Sequence, residues 1–464
     1  MSAHVIDSRL FKDQFSSAAM RKIFSDETTV QRWLDVEAAL ARVEARLGII
    51  PPEAASAINA HARVELFDLD QLKSEMDRTS HHVVPLLRAI RKLCPGSAGE
   101  YVHWGATTQD VMDTGTVLQL RDALDEIDCA LRALLRTLAD CADRYRDTPM
   151  VGRTHGQQAL PITFGYKVAV WAAEVGRHLE RLGAMRERVL IGEFSGAVGT
   201  LAALGADAEA VQRALMDELG LPCAEISWHT ARDGIAEFTS VIAMSVCTAG
   251  KIAQEIYTLQ KVEFGELEEP FEHGKVGSST MPHKRNPAAC ETIVALARVV
   301  RSIVPLSLEG IVAEHERDKT ALQTEREFIP RLCCLADAAL RKTAAVVEGM
   351  NVREANMKRN LWLQNGLLMS EPVMLALGRK LGRQQAHERV YDICMNAWDD
   401  DEPFRDALLK DPVVSAELSA DEIDRLLDPA GYVGLAPVFV DRVVAHARQR
   451  LASADSKSAA HRDA

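Results

Sequence analysis

Residues 274–291 read GKVGSSTMPHKRNPAACE, a polar loop that opens a helix. Gly274 and Gly277 loosen the backbone while Pro282 and Pro287 stiffen the exit, so a short mobile segment is joined to something rigid. Ser278 has no ordinary base beside it. His283, Lys284, Arg285 and Asn286 supply cationic and amide donors suited to an anionic ligand. The pattern predicts a lid that carries its own reagent.

Outside this loop the chain is ordinary in composition: 464 residues, 47% hydrophobic and 26% charged, which is enough to bury a large core. Its 54 basic and 67 acidic residues leave a net charge of −13, which disfavours nucleic acid and anionic membranes as partners. An anionic substrate therefore needs a local cationic pocket. The start, MSAHVIDSRLFKDQF, has neither the pattern of a secretory signal nor the length of a membrane span, so a cytoplasmic location is expected. The nine cysteines form no CxxC pair and no zinc spacing; reduced cysteines and no metal are expected.

Helical periodicity runs through the sequence. Trp33, Val36, Leu40, Val43 and Leu47 recur at spacings of three and four, and Val117, Leu120, Leu124, Ile127, Leu131, Leu134 and Leu138 form a longer stripe ending near Tyr145. A stripe of that length suits a bundle or an oligomer core. His81 and His82 are expected on a helix, RTHGQQ as a loop at a helix entrance before Pro161, and Asp110 as a helix N-cap. No period-2 strand run or βαβ alternation stands out, so the expected class is all-α, a three-part helical protein. The parts are 1–110, 111–353 with its long central helices and the loop 274–287, and 354–464 ending in a small, polar, disordered tail. Residues 192–200, GEFSGAVGT, lack the strand and acid of a dinucleotide fingerprint, so no cofactor is expected.

The ordered string GSSTMPHKRNP resembles the GSSxMPxKxNP signature of the fumarase/aspartase superfamily, which includes adenylosuccinate lyases and carboxymuconate cycloisomerases. Further segments agree in order: TSHHVVPL resembles TxHDV, HWGATTQD resembles HxGxTSxD with His103 nearby, and GRTHGQQALPITFG resembles GRTHxQxAxPxTxG. The resemblance implies Ser278 as the base that removes a proton, with Lys284 and Asn286 stabilising charge. It implies His155 as second active-site group, oriented by Glu291 and preceded by Thr154. Thr107, Thr108 and Gln109 would hold a substrate carboxylate, beside His81. Ser279 and Met281 are further contacts within the loop signature, and Arg232, Arg317 and Arg326 are weaker substrate-binding candidates. Two positions depart from the relatives' patterns: His82 stands where adenylosuccinate lyases have Asp, and WHTARDG carries Gly234 where cycloisomerases have Arg.

By the same resemblance the central helices assemble into a homotetramer with active sites shared between subunits. The implied reaction is elimination across a succinyl unit, cleaving the C–N bond of an N-succinylated amine and releasing fumarate through an enolate-like intermediate. Lactonisation of a carboxymuconate is the alternative, favoured by YVHWGATTQDVMDTG and WHTARD. A non-catalytic helical scaffold is the third reading, since fold does not fix function.

Overall fold

The computed structural model describes residues 3–272, 274 and 277–462. Lys275 and Val276 of the loop read above lie outside the described residues. The protein is all-α, as expected, with 70% of it helical. Helix α1, Asp26–Arg46, shows why the local sequence folds as it does. Ser25 caps it by accepting the Thr28 N–H at 3.2 Å, Asp26 and Glu27 sit in its first turn, and Trp33, Val36, Leu40 and Val43 are buried. Leu47 falls just past the helix end and is 43% exposed.

Helices α2, Leu69–Thr79, and α3, Val84–Leu93, are joined by a short connection holding both His81 and His82. The sequence placed these histidines on one helix. Ser80, at φ 53°, instead ends α2 in the left-handed conformation, and Pro85 occupies the first turn of α3. Five long helices then dominate: α4, Thr108–Arg144; α5, Phe164–Val189; α6, Asp233–Gln260; α7, Ala288–Glu309; and α8, Lys319–Gly349. The seven apolar residues of the α4 stripe are all buried, as the spacing requires. Helix α6 is long and apolar enough to cross a membrane, yet 72% of its most apolar window is buried inside the protein.

The stretch expected as a loop before α5 is a β-hairpin. Strand β1, Pro149–Thr154, pairs antiparallel with β2, Gln157–Thr163, leaving His155 and Gly156 as a two-residue turn. Both turn residues have positive φ, 51° and 77°, the primed turn that matches strand twist and for which Gly156 removes the steric cost. Pro161 is tolerated because a two-stranded ribbon has free edges.

The chain groups into two compact units. One comprises Met1–Leu131, His178–Cys247 and Ala295–Leu340; the other comprises Arg132–Arg177, Thr248–Val294 and Arg341–Ala464. Each of α4 to α8 has part of its length in each unit. Beyond Gly349, Asn365 and Gly366, at φ 49° and 91°, separate two helices, Glu354–Asn360 and Ser370–Leu381. The latter packs into a local core with Val390, Ile393, Phe404, Leu408 and Ile423. Where a disordered tail was expected, the last helix, Ala436–Arg462, continues into it.

Candidate active site

The loop that opens α7 brings two backbone donors onto Ser278. Its Oγ accepts the N–H of Met281 at 3.0 Å and of Thr280 at 3.3 Å. Donors aimed at an oxygen favour its charged form over its neutral one. Asn286 donates to the Gly277 carbonyl at 2.7 Å and so ties the two ends of the loop. Lys284, Ser279 and Met281 are exposed. Arg285 anchors the exit through an ion pair with Glu268 at 2.8 Å and lies over the Phe271 ring, while Glu269, unremarked in the sequence, caps α7 by accepting the N–H groups of Ala289 and Cys290. Glu291 is exposed in the first turn of α7.

In the same unit the β1–β2 turn presents His155, exposed at its tip, next to Thr154. Its support is buried two residues away. Arg153 donates two hydrogen bonds to Glu266, at 3.0 and 2.7 Å, and Glu266 is fully buried. Asn360 adds a third donor to Glu266 at 2.8 Å, and the Arg153 guanidinium also lies 5.0 Å from the Phe264 ring centre. A bidentate arginine–carboxylate pair fixes geometry as well as charge. Among the described residues His155 and Glu291 form no hydrogen bond with one another within one chain.

The other unit holds a cleft of about 220 Å³ whose walls include His81, His82, Thr108, Gln109, Arg317 and Arg326, together with Lys319, which sequence reading did not single out. Three cations and no carboxylate line it. Arg317 donates to the Ala197 carbonyl at 2.8 Å, Lys319 to Ser80 at 3.4 Å, and Arg326 to His82 Nε2 at 2.9 Å and Gln323 at 2.7 Å. Burial, then the adjacent Arg326, pushes the His82 imidazole down to about 4, so it stays a neutral acceptor for Arg326. Burial and then Lys319 also lower His81. Both histidines face the cleft because they sit in a connection and not on a helix.

Behind the cleft lies a buried polar network. Asp110 is not the N-cap of α4 but its third residue. Its carboxylate reaches back to the Thr107 N–H at 2.8 Å and also accepts from Ser195 N, Gly196 N and His229 Nε2. Glu193 accepts from Trp228 N at 2.6 Å and from the Ser195 hydroxyl. Burial, partly offset by His229, raises the Glu193 carboxyl. Asp110, Glu193 and His229 have the donor types of a metal site, within 4.8 Å of one another. The two carboxylates already accept backbone, hydroxyl and imidazole donors, which ties the cluster to the start of α4, while His229 Nδ1 is buried without a hydrogen-bond partner. Gln109 spends its amide donors on Asp113 and the His229 carbonyl and serves the same end. Arg232 does not reach the cleft: it is 1% exposed and its guanidinium is shared between Asp113 and Glu325. His103 meets Glu37 at 2.6 Å; burial is the largest influence on it and disfavours its charge, but Glu37 outweighs burial and raises it.

The arrangement provides a serine hydroxyl that accepts two backbone N–H groups on a donor-rich loop and, separately, a cationic cleft. A family profile described as lyase matches residues 13–302, and one described as adenylosuccinate lyase C-terminus matches residues 366–443. The chain belongs to the fumarase/aspartase superfamily. As a member it is an enzyme of the lyase class, and its similarity to individual members is close over nearly the whole length. The N-acetyl-S-(2-succino)cysteine lyase of Dickeya dadantii is 44% identical over 447 residues, 96% of this chain and 98% of that one. The 3-carboxy-cis,cis-muconate cycloisomerase of Pseudomonas aeruginosa is 43% identical, covering 94% of this chain and 96% of its own. In three dimensions the 3-carboxy-cis,cis-muconate lactonizing enzyme from Pseudomonas putida superposes with a TM-score of 0.90 at 42% identity, over 96% of this chain and 100% of that chain.

Proposed function

We propose that this superfamily member releases fumarate from a small 2-substituted succinate whose leaving group carries its own negative charge. The observation that carries the reading is Ser278, whose Oγ accepts two backbone N–H groups in an otherwise cationic loop. In the proposed reaction its alkoxide takes the proton from the carbon next to a carboxylate. The electron pair passes into that carboxylate, giving a doubly charged enolate-like intermediate that Lys284 stabilises, and returns to form the fumarate double bond as the bond to the leaving atom breaks. His155, paired with Glu291 of a neighbouring subunit in the expected homotetramer, protonates or orients the leaving group.

The resemblance alone suggested an amine nitrogen as leaving atom. The relative from Dickeya dadantii moves sulfur to the front, so the substrate proposed first is a thioether of the N-acylated S-(2-succino)cysteine type. Chemistry supports the order, because a thiol of ordinary pKa ~8.5 departs as its anion with far less need of an acid than an amine. The cationic lining of the cleft supports the reading, since Arg317, Lys319 and Arg326 would bind a leaving-group carboxylate. Carboxymuconate lactonisation is the second reading, favoured by the TM-score of 0.90 to a lactonizing enzyme.

The test is fumarate formation followed by ultraviolet absorbance with N-acetyl-S-(2-succino)cysteine, adenylosuccinate, argininosuccinate and 3-carboxymuconate, with Ser278→Ala as control. Fumarate from the thioether, abolished in the control, is expected. Carboxymuconate loss without fumarate would transfer the assignment to the second reading, and undiminished activity of Ser278→Ala would remove the serine base.

A further inference from the structure

The cationic cleft shares four wall residues, His82, Met112, Leu322 and Arg326, with a second chamber of about 460 Å³, roughly twice its own volume. A succinate with a cysteine-sized leaving group gives that space no occupant. Phe24, Trp33, Ile329 and Pro330 give it an apolar part of its lining, beside the polar Thr29, Thr116 and Gln119. Trp33 is held in place from behind, since a Cβ on Gly115 would come within 2.8 Å of its ring.

Charge in the chamber has the opposite sense to that in the cleft. Arg326 is the only cation among its lining residues, and its Nη1 is turned to His82 and Gln323. Asp26, Asp113 and Glu325 line it as well, the last two bound to the buried Arg232. Gln119 spends its amide donors on the Ile23 carbonyl and the Thr29 hydroxyl. The chamber thus offers apolar surface and acceptors, but little to attract an anion.

We infer that this chamber receives an uncharged, apolar substituent of the leaving group, which for the proposed thioether is its N-acyl group. The inference rests on the reaction proposed above. It makes the enzyme selective for N-acyl chains longer than acetyl and adverse to acyl groups that end in a carboxylate. Anionic recognition belongs to the cleft, and acyl recognition to the chamber.

The experiment compares kcat/KM for N-acetyl, N-hexanoyl and N-glutaryl S-(2-succino)cysteine, and Kd for the corresponding N-acylcysteine products, in the wild type and in Thr116→Phe, whose ring would fill the chamber. Each buried methylene is worth roughly fourfold. The hexanoyl compound is expected to gain tenfold or more over acetyl in the wild type, with the gain lost in Thr116→Phe and absent for glutaryl. Turnover of the acetyl compound with no hexanoyl gain, or a gain that survives in a folded Thr116→Phe, would overturn the chamber and leave the reaction standing. If no compound yields fumarate, the reaction fails, and the Kd ratio in the wild type alone decides the chamber: hexanoyl binding no tighter than acetyl removes it.

Discussion

Replacing Arg153 by Met separates the support of His155 from His155 itself. Arg153 is 14% exposed and Glu266 fully buried, and the substitution removes two charge-assisted hydrogen bonds from that carboxylate while leaving Asn360 as a donor. Taking away one partner of a buried pair costs about 3–5 kcal/mol, because the remaining charge is stranded. The loss also frees the β1–β2 turn, and displacing a reacting group by ~1 Å can cost about 10²-fold in rate. Thermal melting and fumarate release should both fall for Arg153→Met. Arg153→Lys, which keeps the charge but not the fork, should lie between. If Arg153→Met melts and turns over like the wild type, the buried pair neither stabilises the hairpin nor positions His155. Lower stability with unchanged kcat would leave the pair structural only.

Two further substitutions test other parts of the argument. Glu44 is fully buried with neither carboxylate oxygen hydrogen-bonded, and burial, then the charge of Glu37, pushes its pKa up to about 8. The folded state therefore holds a proton that the unfolded chain gives up above pH 4.5, so this group's contribution falls as pH rises from 4.5 to 8. Glu44→Gln should flatten that slope in pH-dependent melting, an effect on the order of 3 kcal/mol by pH 7, and an unchanged slope would show that Glu44 ionises normally. At Gly277 a methyl group would overlap the Lys284 carbonyl, a backbone atom that cannot swing aside. Gly277→Ala should lower fumarate release at least tenfold with little change in melting, since the loop is largely exposed; full activity would show that the loop geometry around Ser278 is not required.

What could be read from the sequence follows from the range of the forces involved. The stripes of α1 and α4 were legible because helical burial is periodic in sequence, and the loop of Ser278 because its glycines and prolines punctuate it. The hairpin was missed although THGQ contains a two-residue turn with Gly156, because the flanking MVGR and QALPIT alternate too weakly to read as strands. Asp110 and His81 were found but assigned the wrong local geometry, a matter of three and two residues at a helix end. Arg232 was a weaker substrate-binding candidate through the resemblance carried by WHTARD, and it is buried in this structure. Its burial depends on Asp113 and Glu325, 119 and 93 positions away. Glu266, Glu269 and Lys319 gave no local signal, since each acquires its role only from partners brought by other elements.

The division of labour within the molecule suggests why one scaffold accommodates both elimination and lactonisation. In both reactions the difficult step is a change of charge at the carbon beside a carboxylate, and the groups proposed for it here are largely backbone: the N–H groups of Thr280 and Met281 on Ser278, with Asn286 on the Gly277 carbonyl. Backbone donors do not change when side chains around them do. The cleft in the other unit is built from side chains, with Arg317, Lys319 and Arg326 setting its charge and Met112 and Leu322 its shape. In the proposed mechanism, substitution there would alter the leaving group without touching the proton transfer. On this argument His82 is a substrate-selecting position, because a carboxylate in its place would form an ion pair with Arg326 and cancel one of the cleft's three cations, whereas a neutral imidazole orients that arginine and leaves its charge available.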